Sequence, residues 1–354
     1  MTVVSRRALL AGIGFGGLAA ASGSGSLIGT ARAQAAGTVN LYTARHYDTD
    51  EAIYTSFTRT TGIRVNRIEA DADKLMERMR AEGANSPADV FIAVDAGRIW
   101  RAHEAGFLQP LRSAALEAAI PANLREPAGH WFGLSKRIRV IAYDKARVAP
   151  ADVATYASLA DPKWKGKLLV RSSTHVYNQS LVGALIAHNG EAATETWAKG
   201  VVANLARPPR GGDTDQLRGI AAGEGEIALV NHYYYANLVA STKPEDQAVV
   251  AKVGFVFPEQ GPNMRGAHAN IAGAGIARHA PNRANAVRFL EYLAGAEAQS
   301  IFAEGNNEYP VVRTARLSPI LARFGEFRED TVDAAVFARN NEAALKLTDR
   351  AGWR

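Results

Sequence analysis

The sequence predicts an α/β protein of two lobes, each a mostly parallel sheet with helices, joined by a two-strand hinge. Three observations predict it. At 354 residues the chain exceeds one ordinary core and suits two. Short apolar runs alternate with helical patterns over most of its length. Two long strand patterns, near 137–144 and near 252–258, stand where the chain can leave one lobe and return to it. They divide the chain into residues 36–137 plus 258–354, an N-terminal lobe, and 138–257, a C-terminal lobe, with the C-terminal helices free to pack on either. Two lobes on such a hinge leave a cleft that closes on a ligand.

The elements follow in order. Thr38–Tyr42 alternates like a strand. Asp50–Thr61 places Ile53, Phe57 and Thr61 on one side of a helix. A second strand has Ile63, Val65 and Ile68 as its apolar set, and a helix over Asp71–Ala81 turns Leu75, Met76 and Met79 inward. Asp89–Val94 is a continuous apolar run, as a buried parallel strand requires. Arg137–Asp144 is the first hinge strand. The second lobe offers strand Leu168–Arg171, helices Asn178–His188, Ala192–Ala203 and Thr214–Ala222, and strand Glu226–Asn231. Val253–Phe257 is the second hinge strand, followed by strand Ile271–Ala277 and helix Asn282–Leu293. No repeat at a fixed period occurs.

The first 35 residues read as an export leader. Arg6-Arg7 precedes a Gly/Ala-rich, weakly apolar run, and two small-x-small sites follow at Ala31-Arg32-Ala33 and Ala33-Gln34-Ala35. The arginine pair resembles a twin-arginine signal, so the expectation is a periplasmic protein. Of the 41 basic residues, Arg6, Arg7 and Arg32 leave with the leader, so 38 then face 35 acidic ones. That mild, dispersed charge argues against a nucleic-acid partner. The chain has no cysteine, which excludes disulfides, thiolate metal sites and cysteine nucleophiles.

Tyrosine is the informative residue type. Eleven occur, three of them consecutive, Tyr233-Tyr234-Tyr235, directly after a strand. Tyr47 and Tyr177 likewise stand just past strand ends, where α/β sheets present binding loops. Clustered tyrosines suit a sugar, which stacks on their faces, or a hard trivalent cation, which takes their oxygens. Phenol ionises near a pKa of ~10, but a 3+ ion displaces that proton because phenolate is a hard anionic donor. Fe³⁺ is the abundant ion of that kind, and tyrosine is an iron ligand elsewhere.

The segments Asn40–Tyr47, Ser86–Val90, Asp95–Arg98, Trp131–Arg137, Asp161–Gly166, Val170–Ser173, Tyr177–Ser180 and Asn231–Tyr235 together resemble the periplasmic ferric-ion-binding proteins of iron ABC importers, in particular the branch with the cyanobacterial iron-uptake binding proteins. The resemblance covers nearly all of the chain after the leader. It implies a class II periplasmic-binding-protein fold and Fe³⁺ as cargo. It also implies iron ligands at His46, Tyr47, Tyr177, Tyr233 and Tyr234, and delivery by a monomer to an inner-membrane permease with its ATPase. Four phenolates and a neutral imidazole around Fe³⁺ leave one negative charge, which needs a partner when buried. Arg45 and Arg137 are the candidates, bonding phenolate oxygens or a synergistic anion such as carbonate. His175 and His232, beside the tyrosines, are expected to support rather than ligate, and Tyr235 to pack. Asn306–Pro310 resembles a loop that fixes the closed lobes.

Other signals carry less. Gly211-Gly212-Asp213-Thr214 reads as a helix start capped by its Asp, and Asp48 and Asp50 as helix-start carboxylates. Phosphate-loop and nucleophile-elbow motifs are lacking. The expectation is a binding protein without catalysis. Its first rival is a binding protein for an organic or oxyanionic solute on the same fold. Its second is an exported hydrolase or metalloenzyme, which would need a nucleophile–base pair that the spacing does not offer.

Overall fold

The computed structural model describes residues 37–354, so the leader expected over residues 1–35 lies outside the described residues. Its strands are β1 (Thr38–Thr43), β2 (Arg64–Glu69), β3 (Val90–Val94), β4 (Leu108–Gln109), β5 (Phe132–Asp144), β6 (Leu168–Leu169), β7 (Ile227–Asn231), β8 (Val253–Val256), β9 (Ala269–Ala277) and β10 (Tyr309–Pro310). The path β2-β1-β3-β9-β5-β7-β6 runs through both lobes. β5 is the shared strand: Phe132–Ile138 pairs with β9, and from Arg139 onward its partners are β7 and β8.

The two-lobe α/β architecture is the expected one, but the sheets are mixed rather than mostly parallel. β1 pairs in parallel with β2 and β3, and β6 with β7. β5 and β9 run antiparallel to their neighbours, because each carries the chain between lobes instead of following a crossover helix. The return also differs from expectation. β8 lies wholly in the second sheet, and it is the segment from Phe257 to His268, leading into β9, that re-enters the first.

Local sequence explains the elements. Helix Glu51–Thr61 buries Ile53, Tyr54 and Phe57 and stops at Gly62, whose φ of 73° lets its N–H close on the Thr58 carbonyl at 2.8 Å. Helix Ala72–Glu82 buries Leu75, Met76 and Met79 as its period requires. β3 is buried along its whole length. One core lies around β1, β3 and β9 with Phe57, Phe91, Trp131 and Phe289. Two more flank the second sheet, around Trp164, Leu229 and Trp353 on one side and Val230, Leu238 and Tyr309 on the other. The C-terminal helices divide between lobes. Ala334–Arg339 joins the first core through Phe337, and Asn341–Arg350 joins the second through Ala344 and Leu347. No helix among the described residues is long and apolar enough to cross a membrane.

Candidate metal centre

Tyr177 and Tyr233 meet. Both lie in first turns: Tyr177 in helix Val176–Asn189 after β6, Tyr233 in helix His232–Ala240 directly after β7. Their phenol oxygens are 2.9 Å apart, and both side chains are buried. The three consecutive tyrosines are therefore helical, and their rings fan out by the helical turn. Tyr234 lies against Tyr233 with ring centroids 4.3 Å apart, while Tyr235 turns into the core and donates to the Val253 carbonyl at 2.9 Å.

Tyr47 comes from the other lobe, on the turn after β1, half-buried. It stands within electrostatic reach of Arg137, Glu308, Arg45 and Tyr177. On its open side is a cleft of about 970 Å³ lined by His46, Tyr47, Thr49, Asn237, Asn306 and Pro319, drawn from both lobes. His46 does not share the burial of the tyrosines. Its side chain is 50% exposed, with Nδ1 4.0 Å from a Glu69 oxygen.

Burial, aided by Tyr177, Tyr47 and Tyr234, pushes the Tyr233 phenol far above its ordinary range. Burial does the same for Tyr177 and, less strongly, for Tyr47. Each phenol thus holds its proton tightly until something stronger replaces it.

Arginines surround the cluster. Arg45 lies 4.9 Å from the centre of the Tyr47 ring, Arg137 5.9 Å from that of Tyr233 and Arg171 5.2 Å from that of Tyr177. Arg45 and Arg137 stand beside the Tyr47 and Tyr233 rings, fully buried, and neither is a free cation. Glu308 links them, accepting from Arg45 Nη1 at 2.9 Å, Arg137 Nε at 2.8 Å and Ser135 Oγ at 2.6 Å. Burial opposes ionisation of Glu308, yet Arg137 and Arg45 pull its carboxyl down to about 2. Arg45 also donates to Asp50, from Nε at 2.7 Å and Nη2 at 3.0 Å. Asp50 is therefore a buried ion-pair partner and not merely a helix-start charge. On Arg137, Nη2 lies 2.5 Å from Glu308 Oε1, and Nη1 makes no hydrogen bond.

The sequence reading missed Arg139, Arg171, Asp213 and Glu308. Arg139 follows Arg137 by two on β5 and so shares its face, which was the available signal. It donates to Asp213 at 2.7 Å and to Asn178 at 2.6 Å, the residue after Tyr177. Arg171 donates to the other Asp213 oxygen at 3.2 Å. Asp213 is thus no helix cap. Its carboxylate also accepts from the Asn231 N–H at 2.7 Å, while Asp215 serves the Gly212 N–H. Four guanidiniums, of Arg45, Arg137, Arg139 and Arg171, face three carboxylates, of Asp50, Asp213 and Glu308, an excess of one positive charge.

Two histidines hold the tyrosine-bearing helices. His175 Nδ1 accepts from the Tyr177 N–H at 3.3 Å, and its ring meets the Tyr177 ring edge-on at 4.3 Å. His232 Nδ1 accepts from the Ile138 N–H at 3.0 Å while Nε2 lies 2.9 Å from the Asn307 carbonyl. That pairing fixes the neutral Nε2–H tautomer. Asp95 ties the Tyr177 helix to the other lobe. At a φ of 91°, costly outside glycine, it accepts from Ser180 Oγ at 2.7 Å and Asn270 Nδ2 at 2.6 Å.

Residues 85–323 match the bacterial extracellular solute-binding proteins, and the chain belongs to that family. It is similar to iron uptake protein A2 of Synechocystis sp., with 50% identity over 317 residues and 90% of each chain covered. It shares 28% identity over 334 residues with the major ferric iron-binding protein of Neisseria meningitidis serogroup B, covering 92% of this chain and 96% of that one. Among solved structures it superposes on a Trichodesmium protein in complex with iron and citrate ligands (56% identity, TM-score 0.87, 90% of this chain and 100% of that one). It also superposes on Mannheimia haemolytica ferric iron-binding protein A in an open conformation (40% identity, TM-score 0.83, 90% and 99% covered).

Proposed function

We propose that this protein captures Fe³⁺ in the periplasm, without catalysis, and delivers it as a monomer to an inner-membrane ABC permease and its ATPase. The ligands are the phenolates of Tyr47, Tyr177, Tyr233 and Tyr234, joined by His46. The observation that carries this reading is the 2.9 Å contact between the Tyr177 and Tyr233 oxygens inside a ring of guanidiniums. A 3+ ion bound by four phenolates and a neutral imidazole is left with one negative charge, and the surrounding side chains hold one positive charge in excess. Arg45 and Arg137 act from behind the ligands. The unspent Nη1 of Arg137 suits a phenolate or an accompanying anion, carbonate or a carboxylate such as citrate.

The rival organic solute needs open tyrosine faces. Tyr177 and Tyr233 are 8% and 2% exposed and lie beneath Arg171 and Arg137, so they offer oxygens and not faces. Capture follows from the lobes. Tyr47 and His46 stand on one wall, Tyr177, Tyr233 and Tyr234 on the other, and the ion favours the form that brings them together. We place the lobes at 36–137 plus 258–354 and at 138–257, supported by the change of β5 partners after Ile138. The twin-arginine leader fits export of a folded chain.

The test is a titration of apo-protein with Fe³⁺ and with Fe²⁺, with and without carbonate or citrate, read by absorbance. Fe³⁺ is expected to give a visible phenolate-to-iron band and Fe²⁺ none. Absence of that band, with colourless binding of an organic anion, overturns the reading in favour of the rival.

A further inference from the structure

A second cluster lies in the first lobe, apart from the tyrosines. His103 is in the last turn of helix Ala96–Glu104, and Glu126 and His130 flank a tight turn that leads into β5. One ligand atom from each lies within 4.8 Å of the others, the one such group of three among the described residues. The two imidazole rings are 4.3 Å apart, centre to centre.

The turn is rigid. Gly129 N–H closes on the Glu126 carbonyl at 2.8 Å, and Glu126 N–H on the Trp131 carbonyl at 3.0 Å. Gly129 has a φ of 84°, and a Cβ there would sit 2.0 Å from the Leu111 carbonyl oxygen, so the position requires glycine. Within the turn Glu126 Oε2 lies 3.0 Å from the His130 N–H and 2.9 Å from His130 Nδ1. His103 presents a different anomaly, for its Nδ1 is buried and bonded to nothing. The Glu126 and His130 side chains are 11% and 22% exposed, which leaves an approach from solvent.

We propose that His103, Glu126 and His130 form a second metal site, for a borderline divalent cation of the Zn²⁺ kind. Two imidazoles and one carboxylate are a familiar zinc set, and the exposed side leaves a fourth position for water. Ligand softness separates this site from the tyrosines: imidazole nitrogen suits Zn²⁺, whereas phenolate oxygen suits Fe³⁺. The Glu126–His130 contact holds these two side chains together before any ion binds. A bound ion would pin helix Ala96–Glu104 to the turn that feeds β5, the strand carrying Arg137.

The experiment titrates the full chain with Zn²⁺ alone and Co²⁺ alone, in wild type, His103→Gln, His130→Gln and Tyr177→Phe. Wild type and Tyr177→Phe are expected to bind one Zn²⁺ each, to melt at higher temperature with it, and to give weak visible Co²⁺ bands. Each histidine variant is expected to lose at least about tenfold in Zn²⁺ affinity. Circular dichroism checks that each variant is folded, and His103→Gln, outside the turn, decides alone if His130→Gln is not. The proposal fails if wild type takes no Zn²⁺, if His103→Gln binds it as wild type does, or if Tyr177→Phe abolishes the binding.

Discussion

The phenol oxygens of Tyr177 and Tyr233 stand 2.9 Å apart although their residues are 56 positions apart in the chain. Two oxygens in neighbouring positions on a small octahedral cation, roughly 2.0–2.1 Å from it, are themselves about 2.9 Å apart. The fold therefore holds these two oxygens, bridged by a proton, at the spacing a hard ion requires, and under the proposed function the ion displaces that proton. Tyr233→Phe is expected to weaken Fe³⁺ binding by about a hundredfold or more and to bleach most of the visible band, since one anionic donor carries several kcal/mol. Tyr234→Phe acts in the same direction. Tyr235→Phe, whose hydroxyl serves Val253, should leave colour and affinity unchanged. Equal behaviour of the Tyr233 and Tyr235 variants in an absorbance titration contradicts the assignment.

Because burial raises the phenols of Tyr47, Tyr177 and Tyr233, each enters the reaction protonated at neutral pH. On the proposed ligation iron must expel those protons, so its affinity is expected to fall as the pH falls. The expected slope is about a tenfold loss per pH unit for each proton released. Isothermal titration in buffers of different ionisation enthalpy counts the protons directly, and a count of zero would exclude phenolate ligation.

His46 stands half-exposed, with Nδ1 4.0 Å from a Glu69 oxygen, whereas Tyr177 and Tyr233 are buried. Its substitution is expected to cost less than that of any tyrosine. His46→Ala should keep the phenolate band and lose affinity by no more than about tenfold, the lower end of what metal-site changes cost.

Glu308 is the sole carboxylate shared by Arg45 and Arg137, and all three are buried. Glu308→Gln leaves two guanidiniums with only Asp50 to answer them. The expected loss of stability is about 3–5 kcal/mol, the cost of breaking a buried ion pair from one side, measured by urea unfolding. The same group sets an acid limit. Its folded-state pKa is depressed to about 2 from an ordinary 4.5, so its contribution is complete above pH 4.5 and is lost as the pH falls from there toward 2.

The strands, the long helices and the tyrosines are legible in the sequence, because these leave local marks: an apolar period, a capping residue, three rings in a row. The charge lattice behind them is not. Arg137 and Glu308 are 171 positions apart and Arg139 and Asp213 are 74 apart, and no local pattern pairs an arginine on a strand with a carboxylate so far along the chain. For the same reason Asp213 and Asp50 passed as ordinary helix-start residues. The excess of parallel pairing failed on a topological point. Apolar strand runs look alike whether a strand continues one lobe or crosses to the other, and β5 and β9 do the latter.

His232 joins the tyrosine-bearing helix to β5 through the Ile138 N–H and to the loop that carries Glu308 through the Asn307 carbonyl. Both ring nitrogens are committed, so protonation would set a new N–H against that of Ile138. Burial lowers the pKa of His232 from 6.5 to about 4. The unfolded chain therefore binds a proton between pH 6.5 and 4 that the folded chain refuses, and stability falls as the pH drops through that window. His232→Gln keeps a donor for Asn307 but cannot titrate. At pH 7 it should cost about 1–3 kcal/mol for the acceptor lost to Ile138. From pH 6.5 to 4 its stability should fall less steeply than that of wild type, by about one proton in the slope. Urea unfolding of both proteins across that range measures the difference. Parallel curves would mean that His232 takes up its proton without leaving its place between the lobes.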